Sequence, residues 1–325
     1  MVLGVAGDAM GAFLLRRLAQ STLLLAIVTV IAFGLMHLAP GGPLAVYALN
    51  PSMRAEDLER IERNFGLDRP LYVQYVKWAG GVLTGDWGRS YRDSRPVRAV
   101  IFDRIPATFE LAATALALAI VLGVGIGVLG AVRQYSIADY LATVGAMLAL
   151  SIPTFWFGLV GIYFFSLRLG WLPAGNMYTI GDGSALNYLH HLILPSLVLS
   201  LVHVAVWSRY MRTATLDAIS QDFVKTARAK GLSERRVLMK HIVGNALLPM
   251  ITLAGMQLPT ILTGALVTET VFTWPGMGRL FLDSLGYSDY PVVMGLLMFS
   301  AILVLLGSLI ADIVIAIVDP RIRLA

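Results

Sequence analysis

The sequence of 325 residues contains no cysteine, and only 14% of its residues are charged, whereas 57% are hydrophobic. The absence of cysteine excludes disulfides, thiolate nucleophiles, iron–sulfur clusters and zinc sites built on cysteine. A soluble domain usually carries about 25% charged residues, so this chain has too little charge to cover its apolar surface in water. The composition indicates an integral membrane protein, and the modest net charge of +5 gives no reason to expect nucleic acid as a partner.

Motifs for nucleotide hydrolysis and for hydrolytic catalysis are also missing. A P-loop needs Gly-x4-Gly-Lys-Ser/Thr, and the only Lys followed by Ser or Thr is Lys225, which Val224 precedes. No Ser/His/Asp arrangement is recognisable, so we predict no catalytic residue. His190, His191 and His203 have no further ligand at a suitable spacing. We therefore expect this chain to have no enzyme site, metal site or cofactor of its own.

Six apolar stretches are long enough to cross a bilayer core of roughly 30 Å, which takes about 20 helical residues. Helices satisfy their own backbone polar groups inside a membrane, and the alternating strands of a barrel are not visible. The sequence predicts an all-α integral membrane protein. Its predicted spans are approximately Leu18–Ala39, Ala107–Ala131, Leu141–Phe165, Leu192–Trp207, Ala246–Thr268 and Val292–Val318.

The distribution of Lys and Arg predicts that both termini lie in the cytoplasm. The short loops 169–191 and 269–291 hold only Arg279, whereas the segments placed inside, which are the N-terminus, 133–140, 208–245 and 319–325, together hold 13 Lys and Arg residues. The predicted organisation is a first span within 1–39, an external helical loop domain 40–106, a membrane core 107–318 with an inner loop 208–245, and a tail 319–325.

The external segment 40–106 is predicted to be ordered. Leu58, Ile61 and Phe65 share one helical face before Gly66, Pro70 opens a second helical segment, and a third is expected from Pro96 to Ile105. Such helices suit a platform for another protein. The alternative is a loop that only covers the membrane helices.

The inner loop 208–245 is predicted to contain two short helices, Asp222–Lys230 and Ser233–His241, separated by Gly231-Leu232. Gly231 can take the left-handed conformation that ends a helix, and Ser233 can cap the next one.

Small and basic residues in this loop are typical of a docking segment. Thr226, Ala227 and Ala229 would let a helix sit deep in a groove of another protein, and Arg235 and Arg236 would attract acidic partners. The alternative is a basic loop that lies on anionic lipid.

The segment Thr226-Ala-Arg-Ala-Lys-Gly-Leu232 resembles the cytoplasmic "EAA" loop of bacterial ABC importer permeases, which docks on the ATPase subunits. The family pattern is Glu-Ala-Ala, three residues, Gly, nine residues and Ile-x-Leu-Pro. Here Lys225-Thr-Ala227 replaces the first three residues, and His241-Ile-Val-Gly244 stands at the end of the pattern. This variant is similar to the peptide/nickel branch of the family.

Further segments, in the order of the family, resemble the B-type permease subunit of oligopeptide and dipeptide importers. They are His37-Leu-Ala-Pro-Gly41, Gly66-Leu-Asp-Arg-Pro-Leu71, Gly85-Asp-Trp-Gly-Arg-Ser90, Arg104-Ile-Pro-Ala-Thr108, Ser151-Ile-Pro-Thr-Phe-Trp156, Glu269-Thr-Val-Phe-Thr-Trp-Pro-Gly-Met-Gly278 and Asp319-Pro-Arg-Ile-Arg323.

The resemblance implies a type I ABC importer permease fold in a bacterial cytoplasmic membrane. It implies as partners a second, homologous permease subunit, two ATPase subunits that bind ATP and Mg, and an extracytoplasmic peptide-binding protein. Nickel or glutathione is the alternative cargo within the family. From a different class, an autonomous channel or a secondary transporter is the alternative.

Two sets of residues are candidates for lining the pathway. Pro153 interrupts the third span because it cannot donate to the Ala149 carbonyl, and Trp156 follows the break. In the fifth span a stripe within roughly 80° of the helical wheel contains Thr252, Met256, Thr260 and Thr263. The alternatives are a packing kink and close helix contact.

A candidate contact for the binding protein is the turn Trp274-Pro275-Gly276 in the second short outer loop. We expect its aromatic ring to reach an external partner, because transient interfaces are often anchored by a few aromatic residues.

Overall fold

The structure is a computed structural model that describes residues 2–38, 53–263 and 265–318. Side chains are described within these ranges except those of residues 2–15, 55, 65, 256, 258–263 and 314–318. The described residues contain no β-strand and only two isolated bridges. The α-helices are α1 Val2–Leu38, α2 Ala55–Phe65, α3 Leu71–Thr84, α4 Val97–Phe102, α5 Ile105–Val132, α6 Ile137–Ser151, α7 Thr154–Gly161, α8 Ala185–Ile219, α9 Asp222–Ala229, α10 Glu234–Arg236, α11 Gly244–Thr263, α12 Leu266–Val271, α13 Met277–Gly286 and α14 Tyr290–Val318. Two π-helical segments, Ile162–Arg168 and Val237–Val243, follow α7 and α10.

Five helical runs of the described chain are long and apolar enough to cross a membrane, and a bent pair brings the number to six if it is one span. The five are Arg16–Leu38, Val97–Val132, Ala185–Ile219, Glu234–Gly255 and Tyr290–Ile313. The predicted fourth span was too short. The predicted fifth span Ala246–Thr268 was too long at its end, because α11 is described as far as Thr263 and Leu266 begins a separate helix.

The predicted third span is not one straight helix. Ile137–Ser151 and Thr154–Arg168 meet at an angle of 105°. Ile152 adopts an extended conformation, as expected for a residue before proline, and Pro153 caps the next helix with φ −58° and ψ 137°. The prediction of a break at Pro153 is confirmed, but the break is a sharp bend rather than a kink within one helix.

The described residues divide into two compact units. The first lies within 1–106 and 276–306, and the second lies within 107–275 and 307–323. In the first unit the predicted loop helices are present as α2, α3 and α4. The third helix ends at Phe102, before the predicted Ile105. The core of this unit joins α4 to α14 through Val97, Ile101 and Leu296. The Asp289 carboxylate accepts hydrogen bonds from the Ser90 hydroxyl and the Tyr91 amide.

In the second unit, α5 packs closely on α8 through glycines. A Cβ atom on Gly127 would lie 2.6 Å from the carbonyl oxygen of Ser208 and 2.7 Å from Cβ of Met211. Only a residue without a side chain permits this approach, as is common between membrane helices. Gly125, two residues earlier, has no atom within 4 Å of its Cβ position.

We therefore expect Gly127→Ala to destabilise the chain by about 1–3 kcal/mol relative to Gly125→Ala, because overpacking a close contact has this effect. Both variants gain the same helix propensity, so the comparison isolates the contact with α8. The measurement is thermal unfolding of the purified chain in detergent. Equal melting temperatures for the two variants would show that the close contact between α5 and α8 at Gly127 does not contribute to the stability of the chain.

Candidate coupling site and membrane-facing positions

The helix α9 has ends that lie within one residue of those that the sequence predicts. It follows Gln221, begins at Asp222 and ends at Ala229, one residue before the predicted end. Asp222 lies in the first turn, where the helix dipole favours an acidic side chain. Gly231 has φ +74°, the left-handed conformation expected for it. The chain then turns and starts α10 at Glu234.

The two faces of α9 differ in exposure. Val224 and Ala227 are buried among Met211 and Val237, whereas Thr226 and Ala229 are exposed. The placement of Ala227 on a docking surface was therefore wrong, because its methyl group belongs to the core of this chain. The exposed face of α9, which we call the outer face, consists of Asp222, Phe223, Lys225, Thr226 and Ala229.

An ion pair braces the turn between α9 and α10. The guanidinium of Arg228 donates to both carboxylate oxygens of Glu234, at 2.9 and 3.1 Å. This hydrogen bonding raises the pKa of Arg228 above its usual value. Both side chains are largely exposed, so the pair fixes the turn geometry more than it stabilises the fold. Two opposite charges flank Gly231 in the sequence, but their pairing was not predicted.

Ser233 precedes α10 as predicted, but its side chain makes no capping hydrogen bond. Arg235 and Arg236 follow it and are exposed. The π-helical segment Val237–Val243 then leads directly into α11. Residues 234–263 are thus one helical run that connects the loop to the membrane.

A cleft of about 380 Å³ lies beside α9, where α8, α9 and α11 meet. Phe223 forms part of its wall from α9, Tyr210 and Asp217 from α8, and Asn245 and Pro249 from α11. This cleft was not predicted from the sequence, because its walls come from three helices that are separated along the chain.

A second ion pair joins α6 to α8 near the end of α8 that leads into the loop. The Asp139 carboxylate accepts from Arg212 Nε at 2.7 Å and from Arg212 Nη2 at 2.8 Å, and also from the Tyr135 amide at 3.0 Å. Asp139 is buried, and Arg212 is 30% exposed. Because α8 ends only two residues before α9 begins, this pair anchors the helix that carries the loop.

The candidate pathway residues are only partly described. Pro153 and Trp156 are exposed on this chain, and Thr252 is half-buried. The side chains of Met256, Thr260 and Thr263 lie outside the described residues, although their backbone belongs to α11. The pathway assignment for both sets stays a prediction.

The structure corrects the placement of Trp274. Its side chain is fully buried, and its Nε1–H donates to the Ala107 carbonyl at 2.8 Å. The ring packs with Leu111 and Leu192, so it does not reach an external partner in this conformation. Pro275 is half-buried and Gly276 is buried. A Trp-Pro-Gly turn predicts rigidity, but it does not reveal which way the ring points.

A buried carboxylate lies near this tryptophan. Glu269 is fully buried and accepts from the Thr108 hydroxyl at 2.8 Å, while its backbone carbonyl accepts from the Trp274 amide at 2.8 Å. In the part of the chain that the structure describes, no three His, Asp or Glu side chains could together hold a metal ion. His190 and His191 contact backbone carbonyls of Trp171, Gly175 and Asn176.

Comparison with known families identifies the chain. A model described as the binding-protein-dependent transport system inner membrane component matches residues 119–324, and the model of the N-terminal part of such membrane components matches residues 10–112. The chain belongs to this family. It is a multi-pass inner-membrane protein, in agreement with the sequence prediction.

Relatives in this family match over nearly the whole chain. The oligopeptide transport system permease protein AppB of Bacillus subtilis is 44% identical over 97% of this chain and 100% of its own length. The di/tripeptide permease DppB of Pseudomonas aeruginosa is 37% identical over 91% and 94%, and the dipeptide permease DppB of Escherichia coli K12 is 34% identical over 96% and 98%.

A solved structure supports the fold. The inward-facing MetNI methionine ABC transporter matches with a TM-score of 0.54 and 20% identity, over 70% of this chain and 99% of that chain. The predicted all-α fold of an ABC importer permease is confirmed.

Proposed function

We propose that this chain is the permease subunit of an ABC importer that moves oligopeptides or dipeptides across the cytoplasmic membrane, with both termini in the cytoplasm. The observation that carries the proposal is the match over nearly the full length to relatives named as peptide permeases. The geometry of α9 and the turn at Gly231 supports it, because it gives the loop an exposed, short docking helix.

Two ATPase subunits would bind ATP and Mg and contact the outer face of α9. Each end of this loop continues into a long helix, α8 before it and the 234–263 run after it. A displacement of α9 would therefore move both membrane helices together. The Arg228–Glu234 pair and the buried Val224 and Ala227 would make the loop rigid enough to pass on that displacement.

The remaining partners would be a second, homologous permease subunit and an extracytoplasmic binding protein that delivers the peptide. Since the sequence has no P-loop, ATP hydrolysis would come from the ATPase subunits rather than from this chain. Because Trp274 is buried, the loop segment 53–106 with α2, α3 and α4 is the remaining candidate dock for the binding protein.

The test is uptake by proteoliposomes that contain the complete complex with its binding protein. We expect a radiolabelled dipeptide or oligopeptide to accumulate only when ATP is supplied to the ATPase side. Accumulation of nickel or glutathione without peptide would transfer the assignment to the alternative cargo. Peptide uptake that proceeds without ATP would support a channel or a secondary transporter.

A further inference from the structure

A cavity of about 400 Å³ lies in the first unit at the Leu38 end of α1. Phe33 and Met36 of α1, Trp78 of α3 and Met294 of α14 contribute apolar wall. The cavity thus combines the end of a membrane helix with the loop helix α3. Neither the proposed ATPase contact nor the proposed pathway uses it.

The polar part of this wall is mainly cationic. Arg69, Lys77 and Arg89 line the cavity, and Asp86 is the acidic residue among the described lining. The Asp86 carboxylate accepts from the Gly88 amide, and Arg89 donates to the Ser94 carbonyl. These contacts leave the charge balance positive at the cavity.

Arg69 and Lys77 lie side by side at the mouth of the cavity. A Cβ placed on Gly66 would lie 3.9 Å from Lys77 Nζ and 4.0 Å from Arg69 Cδ, so both side chains flank the same point. Both residues are exposed, and within the described ranges neither forms a salt bridge. Two adjacent cations without an acidic partner favour an anionic ligand.

Trp78 supplies a hydrogen-bond donor that lacks an acceptor. Its Nε1 is buried, and no acceptor lies within reach in the described part of the chain. The indole ring of Trp78 therefore contributes apolar wall to the cavity, and its buried donor does not face the cavity space.

The position of the cavity favours an anionic group that belongs to a lipid. Few residues in the membrane-length part of α1, Arg16–Leu38, are buried inside the chain, and Leu35 and Leu38 are highly exposed where the helix ends. Apolar surface therefore runs along α1 to the mouth of the cavity. Tryptophan, tyrosine and basic residues are typical of the level of the lipid headgroups.

We propose that this cavity binds the phosphate headgroup of an anionic phospholipid, with its acyl chains along the exposed side of α1. Arg69 and Lys77 hold the phosphate, and the aromatic wall covers the glycerol region. A bound lipid at this point ties α3 to α1. The proposal depends on the membrane location of the chain and not on the transported substrate.

The test uses the delipidated, purified complex and titrates it with phosphatidylglycerol or phosphatidylcholine, with bound lipid counted by native mass spectrometry. A basic residue near a membrane surface strengthens binding of anionic lipid by about fivefold. The double variant Arg69→Gln/Lys77→Gln is therefore expected to bind phosphatidylglycerol about 25-fold more weakly. Trp78→Phe, which keeps an aromatic wall and removes a donor that does not face the cavity, should bind phosphatidylglycerol nearly as the unaltered chain does.

The matched control is Arg60→Gln/Arg63→Gln, which removes two exposed cations from α2 without touching the cavity. We expect it to bind phosphatidylglycerol as the unaltered chain does. We expect phosphatidylcholine, whose ammonium group offsets the charge of its phosphate, to bind the unaltered chain more weakly and to lose less affinity in the Arg69→Gln/Lys77→Gln variant. Equal weakening by both double variants would overturn the proposal. So would displacement by inorganic phosphate, which indicates a site for a free anion, or by a dipeptide, which indicates a substrate carboxylate.

Discussion

Ala229→Arg is expected to lower ATP-driven uptake about tenfold or more while the chain remains folded. Ala229 is exposed on the outer face of α9 beside Thr226, where the proposed ATPase contact needs a close approach. A long charged side chain forced into a packed contact destabilises it by about 1–3 kcal/mol, and 1.4 kcal/mol corresponds to tenfold in affinity. The measurement is peptide uptake together with retention of the ATPase subunits during purification.

The same substitution at two other alanines separates docking from folding. Ala227→Arg should lower the melting temperature of the chain, because Ala227 is buried beside Met211 and Val237. Ala185→Arg, at an exposed position at the other end of α8, should change neither uptake nor stability. If Ala229→Arg retains the ATPases and transports normally, the outer face of α9 is not the coupling surface.

Local signals explain why the bounds of α9 were predictable. An acidic first turn, a run of small residues and a glycine are adjacent in sequence, so the start at Asp222 and the left-handed Gly231 follow from them. The orientation of the helix does not follow in this way. Ala227 is buried by Met211 and Val237, which come from neighbouring segments, and the sequence of α9 itself does not contain that information.

Trp274 illustrates the same limit at a turn. Its ring is held by the Ala107 carbonyl and by Leu111 and Leu192, all more than 80 residues earlier in the chain. Nothing within Trp274-Pro275-Gly276 distinguishes an inward ring from an outward one. The bend at Pro153 was predictable in position, since proline lacks the amide donor. Its angle of 105° does not follow from the proline, because contacts such as those of Ala146 and Ala149 with Ala205 involve a distant part of the chain.

The Asp139–Arg212 pair joins residues that lie 73 positions apart. Asp139 falls in a loop that the charge pattern placed inside, and Arg212 in the basic segment 208–245, so each was explained by topology alone. Only the packing of α6 on α8 shows that they meet. Gly130 makes room for the carboxylate, since a Cβ there would lie 3.1 Å from Asp139 Oδ1.

Asp139→Ala is expected to destabilise the chain by about 3 kcal/mol, the lower end of the range for breaking a buried pair. The substitution leaves the Arg212 guanidinium, which is 30% exposed, without its two carboxylate oxygens. It also leaves the Tyr135 amide without its acceptor. The measurement is the free energy of unfolding of the purified chain in detergent with increasing denaturant.

Asp103→Ala is the matched control, because it removes an aspartate from a 2.6 Å pair with Arg95 in which both side chains are at least half exposed. Exposed pairs contribute about 0–1 kcal/mol, so this variant should unfold almost as the unaltered chain does. The double variant Asp139→Ala/Arg212→Leu should be less destabilised than the sum of its single variants, because it leaves no unpaired charge. A loss for Asp139→Ala no larger than that for Asp103→Ala would mean that apolar packing alone holds the end of α8 that leads into α9.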